Sequence, residues 1–328
     1  MKPVGDAVHY DSGPWSRRSG ATREWVLDVT EMGSAVTGDV GDGQVIPDEL
    51  LSVAGLQLSL TAKQRQALAR EELASVTAWE IRFEALLEAG FAGQIAAAPD
   101  VTSARLTFML HEMTEETGHQ RLFQRLLRQL NPQTDWPVPP RLIGAIYRRG
   151  ARFLVGHPAM LFALVLAGEE VTDLYQMAAA DHPDTDPFVR ALYEYHRAEE
   201  ADHVSFARAV YAEAWVESTW VDRGLVRWVA PSIIQLLMDT MVHPGVYVVA
   251  GLPPFRTWRL AARTPGRAAF RRRATRPVVE ALVEAGALSA GRVPLPWRRL
   301  CDVDSHGLAS DALGSSAPRA AGSQPTSG

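Results

Sequence analysis

The segment Glu115-Glu116-Thr117-Gly118-His119 reads E-E-x-x-H, and Glu199-Glu200-Ala201-Asp202-His203 reads it again. Residues three apart on a helix share a face, so each copy aims one carboxylate and one imidazole at a common point. A lone E-x-x-H is ordinarily a solvated pair. Two copies, each with a glutamate about one helix-turn-helix upstream, are the ligand pattern of a carboxylate-bridged di-metal bundle. A chain built this way must bring four helices past one buried point.

The rest of the sequence agrees with an all-α chain. Thr61-Ala62-Lys63-Gln64 is a capping box opening a helix to about Phe91, and the Gly/Ala tract up to Pro99-Asp100 reads as a loop. A second helix carries Leu106, Met109, Met113, Glu116, Phe123 and Leu127 on one stripe, and the proline-rich segment from Asn131 to Pro140 ends it. Pro158 suits the first turn of a third helix, which His182-Pro183 terminates, and Asp186-Pro187 starts a fourth that runs to about Glu217. A further apolar helix, Val221 to Val242, should kink at Pro231. No strand pattern is evident. The expected organisation is an irregular arm over residues 1–45, one helical domain over 46–300 and a Gly/Ser/Ala/Pro-rich disordered tail over 301–328.

Composition narrows the classes of function. The net charge of -5 gives no push toward nucleic acid or membrane surfaces, and the arginine run around Arg271, Arg272 and Arg273 reads as a solvated face. A single cysteine, Cys301, excludes an internal disulfide. The longest apolar run, Ala159 to Ala167, is too short to span a bilayer, and no signal-like stretch opens the chain. The expectation is a cytoplasmic protein without membrane or nucleic-acid partners.

The metal reading rests on where the polar residues fall. Val189, Leu192, His196, Glu200, His203, Ala207 and Val210 form one helical stripe, which should be buried although three members are ionisable. Buried carboxylates need counter-charge. Glu84 precedes Glu116, and Glu169 precedes Glu200, by nearly equal spacings, as a twofold repeat of helix pairs requires. Glu80 and Glu170 are the alternatives on the same two helices. The candidate set is Glu84, Glu116, His119, Glu169, His196, Glu200 and His203. Four carboxylates balance two divalent cations, and mixed imidazole–carboxylate ligation suits iron or manganese. Glu115 and Glu199 are candidates to accept the free N–H of the histidine on the opposite helix. Glu112 and His111 read as surface or supporting residues, and His157, His182 and His243, each beside a proline, as helix-end residues.

These residues resemble the di-iron arylamine N-oxygenases, the family of p-aminobenzoate N-oxygenase. Glu72-Leu73-Ala74-Ser75 leading to Glu84, Glu169-Glu170-Val171-Thr172-Asp173, His203-Val204-Ser205-Phe206-Ala207, Val242-His243-Pro244-Gly245-Val246-Tyr247 and Ala250-Gly251-Leu252 all look like family segments. The resemblance covers about residues 60–300. It implies a ferritin-like bundle with additional helices and two irons, His196 as the additional histidine ligand, and Glu84 and Glu169 over their alternatives. It further implies O₂ as co-substrate and an aromatic amine, free or carrier-bound, oxidised to a hydroxylamine, nitroso or nitro product in natural-product biosynthesis. An external electron-donor protein and a homodimer are part of the same expectation. C–H hydroxylation with the same metals and iron storage are the rival readings.

Overall fold

A computed structural model describes residues 36–301; the sequence expectations for residues 1–35 and 302–328 lie outside them. Among the described residues there is no strand. Four long helices form the core: α1 (Ala62–Ala97), α2 (Ala104–Leu130), α4 (Pro158–Ala180) and α5 (Pro187–Val216). Helix α3 (Pro140–Val155) bridges the two pairs. After α5 come a short α6 (Trp220–Gly224), a π-turn over Leu225–Val229, α7 (Ala230–Thr240), a 3-10 stretch over Pro244–Ala250, α8 (Pro254–Ala261), α9 (Pro265–Glu284) and α10 (Leu295–Cys301).

Local chemistry accounts for the starts. The Thr61 hydroxyl accepts from Gln64 N while Gln64 Oε1 accepts from Thr61 N, closing the expected capping box. Asp186 Oδ1 accepts from the amides of Phe188 and Val189, and Pro187 needs no partner at the first helical position. Short connections make α1–α2 and α4–α5 antiparallel hairpins. Their motif residues therefore sit near mid-height of each helix and meet at one level.

Helix α4 is apolar almost all round and is buried almost all round, as a helix without a polar face must be. The Ala159–Ala167 run is the centre of the core, with Leu161, Phe162 and Ala163 fully buried. The stripe read on α5 is likewise buried from Val189 to Val210. The stretch Trp220–Ala250 is long and apolar enough to cross a membrane by composition, but 56% of its most apolar window is buried inside the fold.

Several expectations need correction. Helix α1 continues to Ala97, because Gly93 is a packing position and not a break: a Cβ there would meet Val155 Cγ1 at 2.7 Å. The proline-rich segment does end α2, at Asn131 in the left-handed conformation, but its last prolines also start α3, which the sequence reading missed. At Pro231, where the sequence predicts a kink, the chain forms a π-turn over the preceding residues. The proline's missing N–H and its ring would conflict with the Arg227 carbonyl, and the chain widens just before it, Ala230 N bonding to Leu225 O. The described part of the arm, residues 36–45, touches the bundle at a few points, with residues 37–39 and 41–43 exposed. Val36 and Val45 are buried, Arg125 donates to Val36 O, and Gln129 Oε1 accepts from Val40 N. Arg271 and Arg272, read as a solvated face, have partners, Arg271 donating to Ala262 O.

Candidate metal centre

All seven sequence candidates are buried, none more than 5% exposed, and they converge between α1, α2, α4 and α5. Glu116 and Glu200 occupy the middle, each with one oxygen toward each half of the cluster. Glu200 Oε1 lies 3.1 Å from His119 Nδ1 and 3.2 Å from His196 Nε2, and its Oε2 lies 2.8 Å from His203 Nδ1. Glu116 Oε2 is 3.6 Å from His119 Nδ1 and Oε1 is 3.2 Å from His203 Nδ1. Glu84 Oε1 stands 3.6 Å from His196 Nε2 on the His119 side. Glu169 sits among Glu200, Glu116 and His203, whose charges act on it. Donor atoms of Glu84, His119 and His196 lie within 4.8 Å of one another, as do those of Glu116, His119 and Glu200.

The outer nitrogens define the tautomers. His119 Nε2 is 2.9 Å from Glu199 Oε2 and His203 Nε2 is 2.9 Å from Glu115 Oε2, the crossed pairs expected from the motif. Those Nε2–H groups donate outward, which leaves both Nδ1 lone pairs facing the centre. His196 is reversed. Its Nδ1 is 2.9 Å from Gln176 Oε1, and Gln176 Nε2 donates to Glu80 Oε1 at 3.1 Å, so His196 Nε2 faces inward.

A simple test supports a metal here. Glu84 Oε2, Glu116 Oε2, Glu200 Oε2, His119 Nδ1, His196 Nε2 and His203 Nδ1 are all buried without a hydrogen-bond partner. Orphaned polar atoms in a protein interior are costly, and here they point at one another. Their contacts are short yet lack hydrogen-bond direction, as lone pairs aimed at shared cations would. Electrostatics agrees. Burial, then the neighbouring charges of Glu116 and Glu200, push Glu84 and Glu169 well above the usual carboxylate range. Burial alone would lower His119 and His203, but the carboxylates around them outweigh it and push both well up. Groups that draw a proton so strongly would draw a divalent cation.

The alternatives separate by environment. Glu170 is half-buried and pairs with Arg208 at 3.0 Å, away from the cluster, whereas Glu169 is buried among Glu200, Glu116 and His203. Glu80 is buried but is engaged by Gln176, and burial pushes it up to about 8. Glu112, read as surface or supporting, is 2% exposed; its Oε2 lies 3.4 Å from His203 Nε2, and burial pushes it up to about 9. His157 and His243 occupy helix-start positions and His182 follows the end of α4, as expected.

The twofold repeat reaches further than E-E-x-x-H. His111 Nε2 lies 2.9 Å from Glu115 Oε1, and Tyr195 OH donates to Glu199 Oε1 at 2.7 Å, each one turn before its glutamate. Glu112 and His196 are the corresponding pair in the next position. The sequence reading passed over Tyr195 and Gln176; for Tyr195 the signal was the matching position of His111, and Gln176 gave none. A cavity of about 770 Å³, lined by Arg82, Trp136 and Tyr147 among others, touches none of the seven residues.

A four-helix core with two glutamates between two histidine-bearing halves defines a ferritin-like helical protein of the carboxylate-bridged di-metal class. Within that class the chain belongs to the family described as P-aminobenzoate N-oxygenase AurF, which residues 40–286 match. The family is one of di-iron oxygenases. Uncharacterised proteins of Mycobacterium tuberculosis (strain H37Rv) and Mycobacterium bovis are each 26% identical to it over 188 residues, 55% of this chain and 54% of theirs. The chain thus matches about half the length of these curated relatives. No solved structure matches the chain.

Proposed function

We propose that this chain is a di-iron N-oxygenase that uses O₂ to oxidise an aromatic amine, in the biosynthesis of a natural product. The observation that carries the reading is the set of six orphaned inward-facing donor atoms at the meeting point of the two E-E-x-x-H copies, in a chain of this family.

Glu116 and Glu200, whose oxygens face both halves of the cluster, would help to hold both irons. Glu84, His119 and His196 would complete one side and Glu169 and His203 the other. Bound iron would supply O₂ activation. Glu115 and Glu199 hold the His203 and His119 rings by their Nε2–H groups, and Gln176 holds His196 by Nδ1–H. The apolar residues around the cluster, Phe123 among them at 4.9 Å from the His196 ring, exclude water. The first oxidation, R–NH₂ + O₂ + 2 e⁻ + 2 H⁺ → R–NHOH + H₂O, needs two electrons from outside, which implies an electron-donor protein. Further rounds would give the nitroso and nitro levels. A homodimer is part of the proposal.

The test is to load the protein with Fe(II) anaerobically and add O₂ with nitrogen-15-labelled p-aminobenzoate or a related arylamine. The expected product carries oxygen on the labelled nitrogen. Oxygen found on ring carbon would replace this reading with C–H hydroxylation, and a large iron-filled cage in gel filtration would replace it with storage. Glu116→Ala and His203→Ala are expected to lose iron, measured by metal analysis, along with oxidation.

A further inference from the structure

A second cavity, of about 590 Å³, opens between the π-turn that follows α6 and the loop joining α9 to α10. Arg227, Arg292 and Arg298 all line it, and among the described residues no carboxylate does. Three cations around one cavity raise one another's energy unless an anion joins them. The guanidiniums are also differently prepared. Arg227 donates from Nε to Ala287 O at 3.0 Å and lies over the Trp215 ring at 5.4 Å, so it is held in place before any ligand arrives. Arg298 Nε is buried without a partner, and neither Arg292 nor Arg298 makes a side-chain hydrogen bond or ion pair among the described residues. Ser289 adds a hydroxyl, and Trp228 and Leu295, 58% and 44% exposed, add an aromatic and an aliphatic wall.

We propose that this pocket binds a phosphate-bearing ligand. Planar guanidinium forks match phosphate oxygens in pairs, and three of them suit a multiply charged phosphate better than a single carboxylate. Trp228 and Leu295 receive the organic part of the ligand. The site is distinct from the metal centre: Trp215 lies three turns beyond His203 on α5, about 18 Å along the helix axis. It is also distinct from what the family match covers. Ser289, Arg292, Leu295 and Arg298 all follow residue 286, where that match ends. The π-turn that presents Arg227 and Trp228 is itself an irregularity of a kind that gathers at functional sites.

The phosphate could be carried by a soluble molecule or by a lipid headgroup, and two arms of one experiment separate these. The iron-loaded full chain is titrated with inorganic pyrophosphate by calorimetry, and separately pelleted with phosphatidylglycerol or with phosphatidylcholine vesicles. Saturable pyrophosphate binding, weakened at least about tenfold in Arg292→Gln/Arg298→Gln and reduced by salt, assigns a soluble phosphate. Pelleting with phosphatidylglycerol alone, lost in the same variant and without pyrophosphate uptake, assigns a headgroup. Both substitutions lie away from the bundle core, and unchanged helical circular dichroism and iron content show that the variant is folded. No binding in either arm overturns the proposal. So does binding that survives the double substitution, which is what pyrophosphate captured by the iron itself would give. Arg227→Gln provides a second variant, expected to weaken the same arm.

Discussion

Gln176 illustrates how a residue without charge can decide what a metal site holds. An imidazole offers a lone pair from one nitrogen only when the other carries the proton. The Gln176 carbonyl 2.9 Å from His196 Nδ1 accepts a hydrogen bond from Nδ1–H and so keeps the proton there, and the amide cannot turn round without losing its hydrogen bond to Glu80. Gln176→Leu keeps the volume and removes the acceptor. It should fold normally and weaken iron binding about 10–100-fold, measured by chelator competition. Glu112 makes the opposite case. With its carboxyl pushed up to about 9 by burial, it is protonated at neutral pH and already resembles an amide. Glu112→Gln should therefore keep full iron content. Glu116→Gln should not, because Glu116 is held below the usual carboxylate range: burial and Glu200 push it up, but the His119 and His203 imidazoles facing it outweigh them. Metal analysis of the two variants side by side distinguishes a ligand from a buried neighbour.

Among the helices, small residues set how closely the ligand-bearing faces approach. A Cβ on Gly168 would lie 1.7 Å from Phe83 Cζ, and these two residues immediately precede Glu169 and Glu84. Phe83 is stacked on Trp79 at 5.1 Å and has little room to yield. Gly168→Ala must push α4 from α1, costing about 1–3 kcal/mol in urea unfolding and lowering iron content through the displaced carboxylates. This approach was not legible in the sequence, where Gly168 is one more small residue in an apolar run. What was legible had a local cause: the Thr61 box, Pro158 and Asp186-Pro187 start their helices by their own hydrogen bonds and ring geometry, and the α5 stripe follows from periodicity. What was missed depends on tertiary neighbours. Gly93 stays helical because Val155 packs on it, α3 needs the groove between the two hairpins, and Gln176 matters only because His196 lies opposite.

For the whole molecule, the concentration of buried acid ties folding to metal. Glu80, Glu84, Glu112, Glu116, Glu169 and Glu200 all lie in one interior with three histidines. Two divalent cations offset four of those charges and bind the folded chain alone, so each stabilises it by RT ln(1 + [L]/Kd), about 4 kcal/mol per site when free metal is a thousandfold above Kd. Chelation should lower the melting temperature by on the order of 10 °C. The chelated protein should also acquire a pH dependence with a definite sign. Glu80 and Glu112 rise from 4.5 to about 8 and about 9 on burial, so the folded state holds protons that the unfolded chain has released. Stability is then full below pH 4.5 as far as these groups are concerned, and is lost as pH climbs through about 8 and 9. Thermal scans of the metal-free protein should show a melting temperature that falls across that window. The double variant Glu80→Gln/Glu112→Gln should make the fall shallower, because it removes two of the protons responsible. An unchanged slope in the double variant would mean that Glu80 and Glu112 do not govern the stability of the metal-free fold.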